Sequence, residues 1–167
     1  MDKSTFCEKL GSAYEHSPWV ANAVFDAVVD EGLTVHDLDA VSLAGHFEKV
    51  FMSSTRDRQL AVLRAHPELA CAQADLTQLT ADSASEQVGA GLDQCSEVEF
   101  AEFARLNTAY REKFGYPCVI AVKGRSRSKI LNIFRMRLQN DAVMEYQTAI
   151  RQVCRIAQFR IEDVLSD

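Results

Sequence analysis

The sequence lacks long apolar runs and has few of the residues that interrupt helices. Its 167 residues include three prolines, seven glycines and one tryptophan, and no long stretch is continuously apolar. A bilayer-spanning helix needs about twenty predominantly apolar residues, so no membrane span is predicted. The amino-terminal residues MDKSTFCEKL lack the apolar region of a secretory signal, and the carboxyl-terminal VLSD does not match a peroxisomal signal. The odd number and scattered positions of the five cysteines favour a reducing, cytoplasmic compartment.

The cysteines also lack the spacing of a metal site. They are odd in number and scattered, and no Cys-x-x-Cys or Cys/His cluster occurs among Cys7, Cys71, Cys95, Cys118 and Cys154. No histidine adjoins a cysteine in the sequence, so buried structural thiols are favoured over a catalytic one. A metal site built from His36 or His46 with Asp37 or Glu48 is an alternative with little support from spacing. We therefore expect no metal.

Charge and composition restrict the possible partners. The formal net charge is -6 and the sequence pI is about 5.2, which argues against a nucleic-acid or anionic membrane surface. Hydrophobic residues make up 47% of the chain and charged residues 25%, as in ordinary globular proteins. A chain of 167 residues can bury a substantial core. We expect one domain over residues 1–167.

Helix start and stop signals predict an all-α fold of about eight helices. Ser17-Pro18 and Thr34-x-x-Asp37 have the form of helix starts, and Ser96-x-x-Glu99 has the form of a capping box. Gly32 and Gly115 are suited to helix ends. The last helix is predicted from about residue 141 to 165. One extended apolar segment, 118–122, is too short to indicate a sheet.

His66 is the histidine with the most defined backbone setting. It directly precedes Pro67, and a proline disfavours helical geometry in the residue before it, so a helix is predicted to end near Ala65. The carbonyl end of a helix favours a protonated imidazole. With a nearby carboxylate, His66 could handle a proton. Taken alone, however, a structural histidine is the commoner case.

The segment from Ser83 to Gln87 has two interpretations. Ser83-x-x-Glu86 fits a capping box, in which the two side chains only satisfy backbone N–H groups. The nearby Gly89 and Gly91 would be costly within the first turns of a helix, which points instead to close approach by a ligand or another helix. A helix amino terminus can also bind an anion.

Arg160 is predicted on the buried face of the last helix. An apolar stripe runs at spacings of three and four residues along Val143, Tyr146, Ile150, Val153, Ala157 and Val164. At roughly 100° per residue, Arg160 lies within about 40° of the centre of this stripe, whereas Arg151 and Arg155 point away. An unpaired buried charge is costly, so Arg160 needs an anionic partner or lies in a pocket. The alternative is an arginine whose end reaches the solvent.

The motifs together resemble one enzyme family over nearly the whole chain. In order they are Tyr14-Glu-His-Ser-Pro-Trp-Val20, His66-Pro-Glu-Leu-Ala70, Ser83-Ala-Ser-Glu-Gln87, Leu106-Asn107, Tyr110, Lys113-Phe-Gly-Tyr-Pro117, Val122-Lys-Gly-Arg125 and Arg160. They resemble 2-oxo-4-hydroxy-4-carboxy-5-ureidoimidazoline (OHCU) decarboxylase, which catalyses the last of three steps from urate to (S)-allantoin. The combination of motifs is specific, whereas each alone is not.

The resemblance implies an all-helical homodimer that needs no metal or organic cofactor. It implies catalysis by His66 and Glu86. The substrate-binding residues that it implies are Pro67, Ser83, Gln87, Cys118, Val119, Ile120, Ala121, Val122 and Arg160, with 118–122 acting through backbone groups. Cys118 departs from the family pattern, in which an aromatic residue often follows the proline. If position 118 contacts substrate through its side chain, the shape of the pocket is altered.

Two other functions fit the same sequence. A non-catalytic helical interaction module would display an exposed apolar groove, whereas an enzyme needs His66, Glu86 and Arg160 in one closed pocket. A lyase or hydrolase acting on a related ureido compound would use the same residues on another substrate.

Overall fold

The structure is a computed structural model that describes residues 1–70 and 79–166. These residues contain eight α-helices and one short 3-10 helix, with no strand in the described ranges. The predicted all-α class is therefore confirmed. The α-helices are α1 (Lys3–Leu10), α2 (Trp19–Asp30), α3 (Ala40–Met52), α4 (Arg56–Ala65), α5 (Ala81–Gly89), α6 (Glu97–Phe114), α7 (Arg127–Leu138) and α8 (Ala142–Ser166), and the 3-10 helix is Leu92–Gln94.

The chain divides into two compact units. The first comprises Met1–Ala65 with Val153–Asp167, and the second comprises His66–Gln152. Helix α8 contributes its beginning to the second unit and its remainder to the first. The prediction of a single domain over residues 1–167 stays a prediction.

Aromatic side chains form the core of the first unit. The Tyr14 ring packs against Phe51 with centroids 4.8 Å apart, and Phe6 lies 6.1 Å from Phe47. All four rings are buried. Burying an aromatic side chain removes a large apolar area from water, so these contacts stabilise α1 and α3 against each other.

The core of the second unit is built on α6 and α7. The Tyr110 ring meets Phe134 edge to face, with centroids 5.8 Å apart, and also packs against Tyr116. Phe103 packs on Phe134 from one side, at 6.4 Å. These contacts place the buried face of α6 beside the segment that follows Gly115.

Several helix ends lie where the sequence predicts them. Ser96 and Glu99 form the predicted capping box, with both reciprocal hydrogen bonds present. Gly115 ends α6 with a φ of 80°, and Gly32 follows α2 with a φ of 75°. Because glycine has no Cβ, it adopts these left-handed conformations without strain. α4 ends at Ala65, as Pro67 predicts.

Other predictions of local structure are wrong. Thr34 and Asp37 form a turn, in which the Thr34 hydroxyl donates to the Asp37 carboxylate at 2.7 Å, and no helix starts there. α2 begins at Trp19, with Pro18 rather than Ser17 as its N-cap residue. Val143 is 70% exposed. The apolar stripe of α8 therefore begins later than its periodicity implies.

Two of the four cysteine thiols that the structure describes are buried, as predicted for structural thiols. Cys118 and Cys154 are buried, and Cys7 and Cys95 are half-buried. Cys71 lies outside the described residues. Among the helices that the structure describes, none is long and apolar enough to cross a membrane.

Candidate active site

His66 occupies the position that its sequence predicts. It follows the last residue of α4 and is 7% exposed, and the two residues after it are half-buried. The side chain of Glu68 is ion-paired with Arg111. A buried imidazole just beyond the carbonyl end of a helix is held in a defined place, which proton transfer requires.

The next helix, α5, does not start at Ser83 as a capping box would require. Its N-cap is Thr80, whose hydroxyl accepts a hydrogen bond from the Ser83 N–H at 3.3 Å. Ser83 is therefore in the third helical position, and the Ser83–Glu86 capping box is wrong. Because Thr80 caps the helix, the buried Ser83 side chain does not act as the N-cap.

Gln87 connects α5 to the chain that follows His66. Its Nε2 donates to the Glu68 carbonyl at 3.0 Å, and its Oε1 accepts from the Ala70 N–H at 3.0 Å. Asn107 holds the residue between them, donating to the Leu69 carbonyl at 2.8 Å. Ala70 has a φ of 52°, a strained conformation for a residue with a Cβ, and these bonds fix it. The sequence did not predict these two bonds of the Gln87 amide, which we call the Gln87 clamp.

Glu86 and Ser83 lie on the same short helix as Gln87. Ser83 and Gln87 are four residues apart, so they share a face, and both are buried. Glu86 is half-buried. The second unit thus brings the chain after His66 against the helix that carries the predicted Ser83, Glu86 and Gln87.

The glycines after Gln87 lie later in α5 than expected. Gly89 is the last residue of the helix, and Gly91 lies beyond it with a φ of 73°. Space near Gly91 is taken by Arg127, whose Nη1 donates to the Gly91 carbonyl at 3.2 Å. The glycines therefore end the helix and do not open its first turns to a ligand.

The 118–122 segment is buried and is neither helix nor strand. Its backbone is tied down from two helices: Arg137 of α7 donates to the Val119 carbonyl, and the Ala121 N–H donates to Gln152 Oε1 of α8 at 3.0 Å. The Val122 carbonyl accepts from Arg125 in the following turn. The prediction of an apolar loop at 118–122 between helices is confirmed, whereas its burial and the side chains that hold it were not predicted.

Arg137 belongs to a buried ionic network. Its Nε donates to Glu145 Oε1 at 2.8 Å, and Glu145 is 0% exposed. The Tyr110 hydroxyl also bonds to Glu145 Oε1, and Asn140 donates to Oε2 at 2.9 Å. Periodicity could have found Arg137, because Ile130, Phe134 and Arg137 share one face of α7.

Arg160 is buried, as predicted, and has a carboxylate partner in the first unit. Its Nη1 donates to Glu15 Oε2 at 2.9 Å and to the Ser12 carbonyl at 3.1 Å. The two side chains are 7% and 1% exposed. Arg151 and Arg155 are exposed, as expected. The predicted anionic partner is thus a residue of this chain, from the Tyr14–Val20 motif.

No metal site is evident in the described parts of the chain. Within 1–70 and 79–166, no three histidine, cysteine, aspartate or glutamate side chains are arranged to hold a metal ion.

The Cys118 thiol gives a prediction about alkaline stability. Burial raises its pKa from 9.0 to about 12, and burial also raises the pKa of Tyr110. Above about pH 9 the unfolded chain loses a proton that the folded chain keeps, so the free energy of unfolding should fall as pH rises. The expected slope for Cys118 is up to about 1.4 kcal/mol per pH unit. Urea unfolding of the protein and Cys118→Ala from about pH 8 to about pH 11 measures it. Equal slopes for both proteins would contradict the prediction.

Comparisons with known proteins place the chain in a family. The model of the OHCU decarboxylase family matches residues 1–162. A 2-oxo-4-hydroxy-4-carboxy-5-ureidoimidazoline decarboxylase of Haloferax volcanii is 34% identical over 99% of this chain and 92% of that protein. The uric acid degradation bifunctional protein PucL of Bacillus subtilis is 32% identical over 100% of this chain, which spans only 32% of its length.

A solved structure agrees. The crystal structure of (S)-allantoin synthase superposes with a TM-score of 0.76 at 25% identity, covering 98% of this chain and about half, 51%, of that one. The described residues of this chain form an all-helical fold in which the buried His66 directly follows the end of α4. The chain belongs to the OHCU decarboxylase family.

Proposed function

We propose that the protein is a carboxy-lyase that decarboxylates OHCU to (S)-allantoin, as the last step of urate oxidation. The observation that carries the proposal is the match to the OHCU decarboxylase family over residues 1–162. The Gln87 clamp supports it, because it joins the chain after His66 to the helix bearing Glu86.

The substrate explains how the reaction could proceed without an organic cofactor. The scissile carboxylate is attached to a ring carbon that also bears a hydroxyl and that neighbours a ring C=N bond. When the carbon–carboxylate bond breaks and CO2 leaves, its electron pair forms a bond to the neighbouring carbon, and the C=N electrons move to nitrogen. The substrate thus supplies its own electron sink, which in other decarboxylations a cofactor provides.

Three proton movements complete the reaction. The ring nitrogen that received the C=N electrons takes up a proton from solvent, the hydroxyl loses its proton and becomes a carbonyl, and the carbon that carries the ureido group gains a proton on one face. Delivery to one face gives the S product and not the racemate. The protein therefore has to orient the carboxylate, stabilise an anionic intermediate and place a proton donor.

Within the proposal, His66 and Glu86 are the catalytic residues. His66 manages the hydroxyl proton and the developing charge, and Glu86 orients His66. Arg160 and the backbone groups of residues 118–122 hold carbonyl or ureido oxygens of the substrate. Arg160 on the scissile carboxylate is less favourable, because that contact would stabilise the ground state as well.

The remaining binding residues follow the family motifs. Pro67, Ser83 and Gln87 line the substrate site in this proposal. The amide of Gln87 already bonds to the protein backbone, but an amide has two N–H donors and two acceptor sites, so it can also contact a ligand. The protein further acts as a cytoplasmic homodimer, folded as one domain.

The experiment generates OHCU in place from urate with urate oxidase and hydroxyisourate hydrolase. Added protein is expected to speed the loss of ultraviolet absorbance by the intermediate and to produce allantoin with a circular dichroism signal. Unchanged decay with racemic product would refute the proposal and favour an interaction module. A hydrolase acting on the ureido group would instead release ammonia or urea and would not yield allantoin.

A further inference from the structure

The backbone of residues 118–122 is held by side chains from two other helices. A buried segment outside helix and strand must satisfy its N–H and C=O groups by other means. Here the Ala121 N–H bonds to Gln152 Oε1 at 3.0 Å, and the Val119 carbonyl accepts from Arg137. Gln152 and Arg137, which lie outside the segment, therefore hold the backbone groups of Ala121 and Val119, two residues apart.

The orientation of Arg137 is itself fixed. A guanidinium is planar and rigid, so binding two of its nitrogens sets the direction of the third. Nε and Nη2 both donate to Glu145 Oε1, and Nη1 then donates to the Val119 carbonyl. Glu145 cannot turn easily, because Asn140 holds its other oxygen at 2.9 Å and Tyr110 also bonds to it. A lysine at position 137 could not reproduce this geometry.

We propose that Arg137 and Gln152 are positioning residues for the reaction, setting the backbone geometry of residues 118–122, and that Glu145 aligns Arg137. This inference rests on the proposed function, in which that backbone binds the substrate. Backbone groups stabilise a ligand only if they are held in place before it arrives, and a displacement of about 1 Å can cost about 10²-fold in rate. Neither residue touches the substrate in this proposal.

Gln152→Leu tests the anchor on Ala121, because leucine has similar size and accepts no hydrogen bond. The variant is expected to raise KM for OHCU about tenfold, because the buried Ala121 N–H loses its hydrogen-bond acceptor. Gln152→Glu keeps an acceptor oxygen at the same reach and is expected to restore KM. The control is Gln147→Leu, the same substitution on an exposed position of α8, with unchanged KM.

Hydrogen exchange gives a readout that needs no substrate. The amides of residues 118–122 are expected to exchange faster in Gln152→Leu than in the unaltered protein, and at the original rate in Gln152→Glu. If Gln152 only stabilised the fold, Gln152→Leu would lower the melting temperature but would change neither the local exchange of residues 118–122 nor KM.

The Arg137 anchor needs a paired substitution. Arg137→Met alone would leave Glu145 buried without its cation and is expected to unfold the protein. Arg137→Met with Glu145→Leu removes both charges, and replacing a buried ion pair by apolar residues is often neutral for stability. The double variant is expected to fold, with raised KM and faster exchange in residues 118–122.

The outcomes separate the inference from the proposed function. An unaltered protein that does not accelerate OHCU loss refutes the proposed function, whatever the variants do. An active unaltered protein with a folded Gln152→Leu variant of unchanged KM and unchanged exchange refutes the positioning role alone.

Discussion

Replacing His66 with glutamine is expected to lower kcat/KM for OHCU by about 10²–10⁴-fold, the usual contribution of a general acid or base. Glutamine approximates the size of histidine and can still form hydrogen bonds, but it cannot take up or release a proton near neutral pH. His66 is buried directly after the end of α4. The coupled OHCU assay measures the rate, and thermal unfolding shows whether the variant is folded.

The matched control for this variant is His36→Gln. His36 is exposed and lies in the turn before α3, so the same substitution is expected to leave the rate unchanged. A folded His66→Gln protein that keeps near-normal turnover would exclude His66 as the catalytic residue. Loss of activity in both variants would mean that the assay reports something other than the active site.

Replacing Glu15 with leucine is expected to lower the free energy of unfolding by about 3–5 kcal/mol. The substitution removes the carboxylate opposite the Arg160 guanidinium, and both side chains are almost fully buried. Taking a charge out of water is costly, and in the native protein its partner offsets this cost. Urea unfolding at neutral pH measures the change.

A surface ion pair provides the comparison. Lys3 and Asp26 lie 2.7 Å apart with side chains 41% and 61% exposed, so Asp26→Asn should leave stability close to that of the unaltered protein. If Glu15→Leu is as stable as Asp26→Asn, then Glu15 does not offset a buried charge on Arg160. In that case Arg160 would owe its position to other contacts.

Most of the fold could be predicted because its helix boundaries are local. A glycine in the left-handed conformation or a proline acts on its own neighbours, so Gly115 and Pro67 mark ends without knowledge of the tertiary structure. The sequence does not determine the start of α5, because both Thr80 and Ser83 can cap a helix. Only the three-dimensional structure distinguishes them, through the hydrogen bond from the Ser83 N–H to Thr80.

The candidate site could be predicted only in part. Periodicity placed Arg160 on a buried face because spacing along one helix is enough for that inference. Its partner Glu15 is 145 residues away in the sequence, and no local rule connects the two. Periodicity along α7 can indicate that Arg137 is buried, but its pairing with Glu145 and Val119 also needs the fold. The roles of His66 and Glu86 remain predictions.

The Gln87 amide has a consequence for how binding and catalysis communicate. Its two ends hold the peptide groups of residues 68 and 70, only two to four residues beyond His66. Under the proposed function, a ligand that bonds to the remaining donor or acceptor of this amide also acts on the stretch of chain next to the imidazole. Ligand binding and the alignment of His66 would then be thermodynamically linked, and each would change the other by the same free energy.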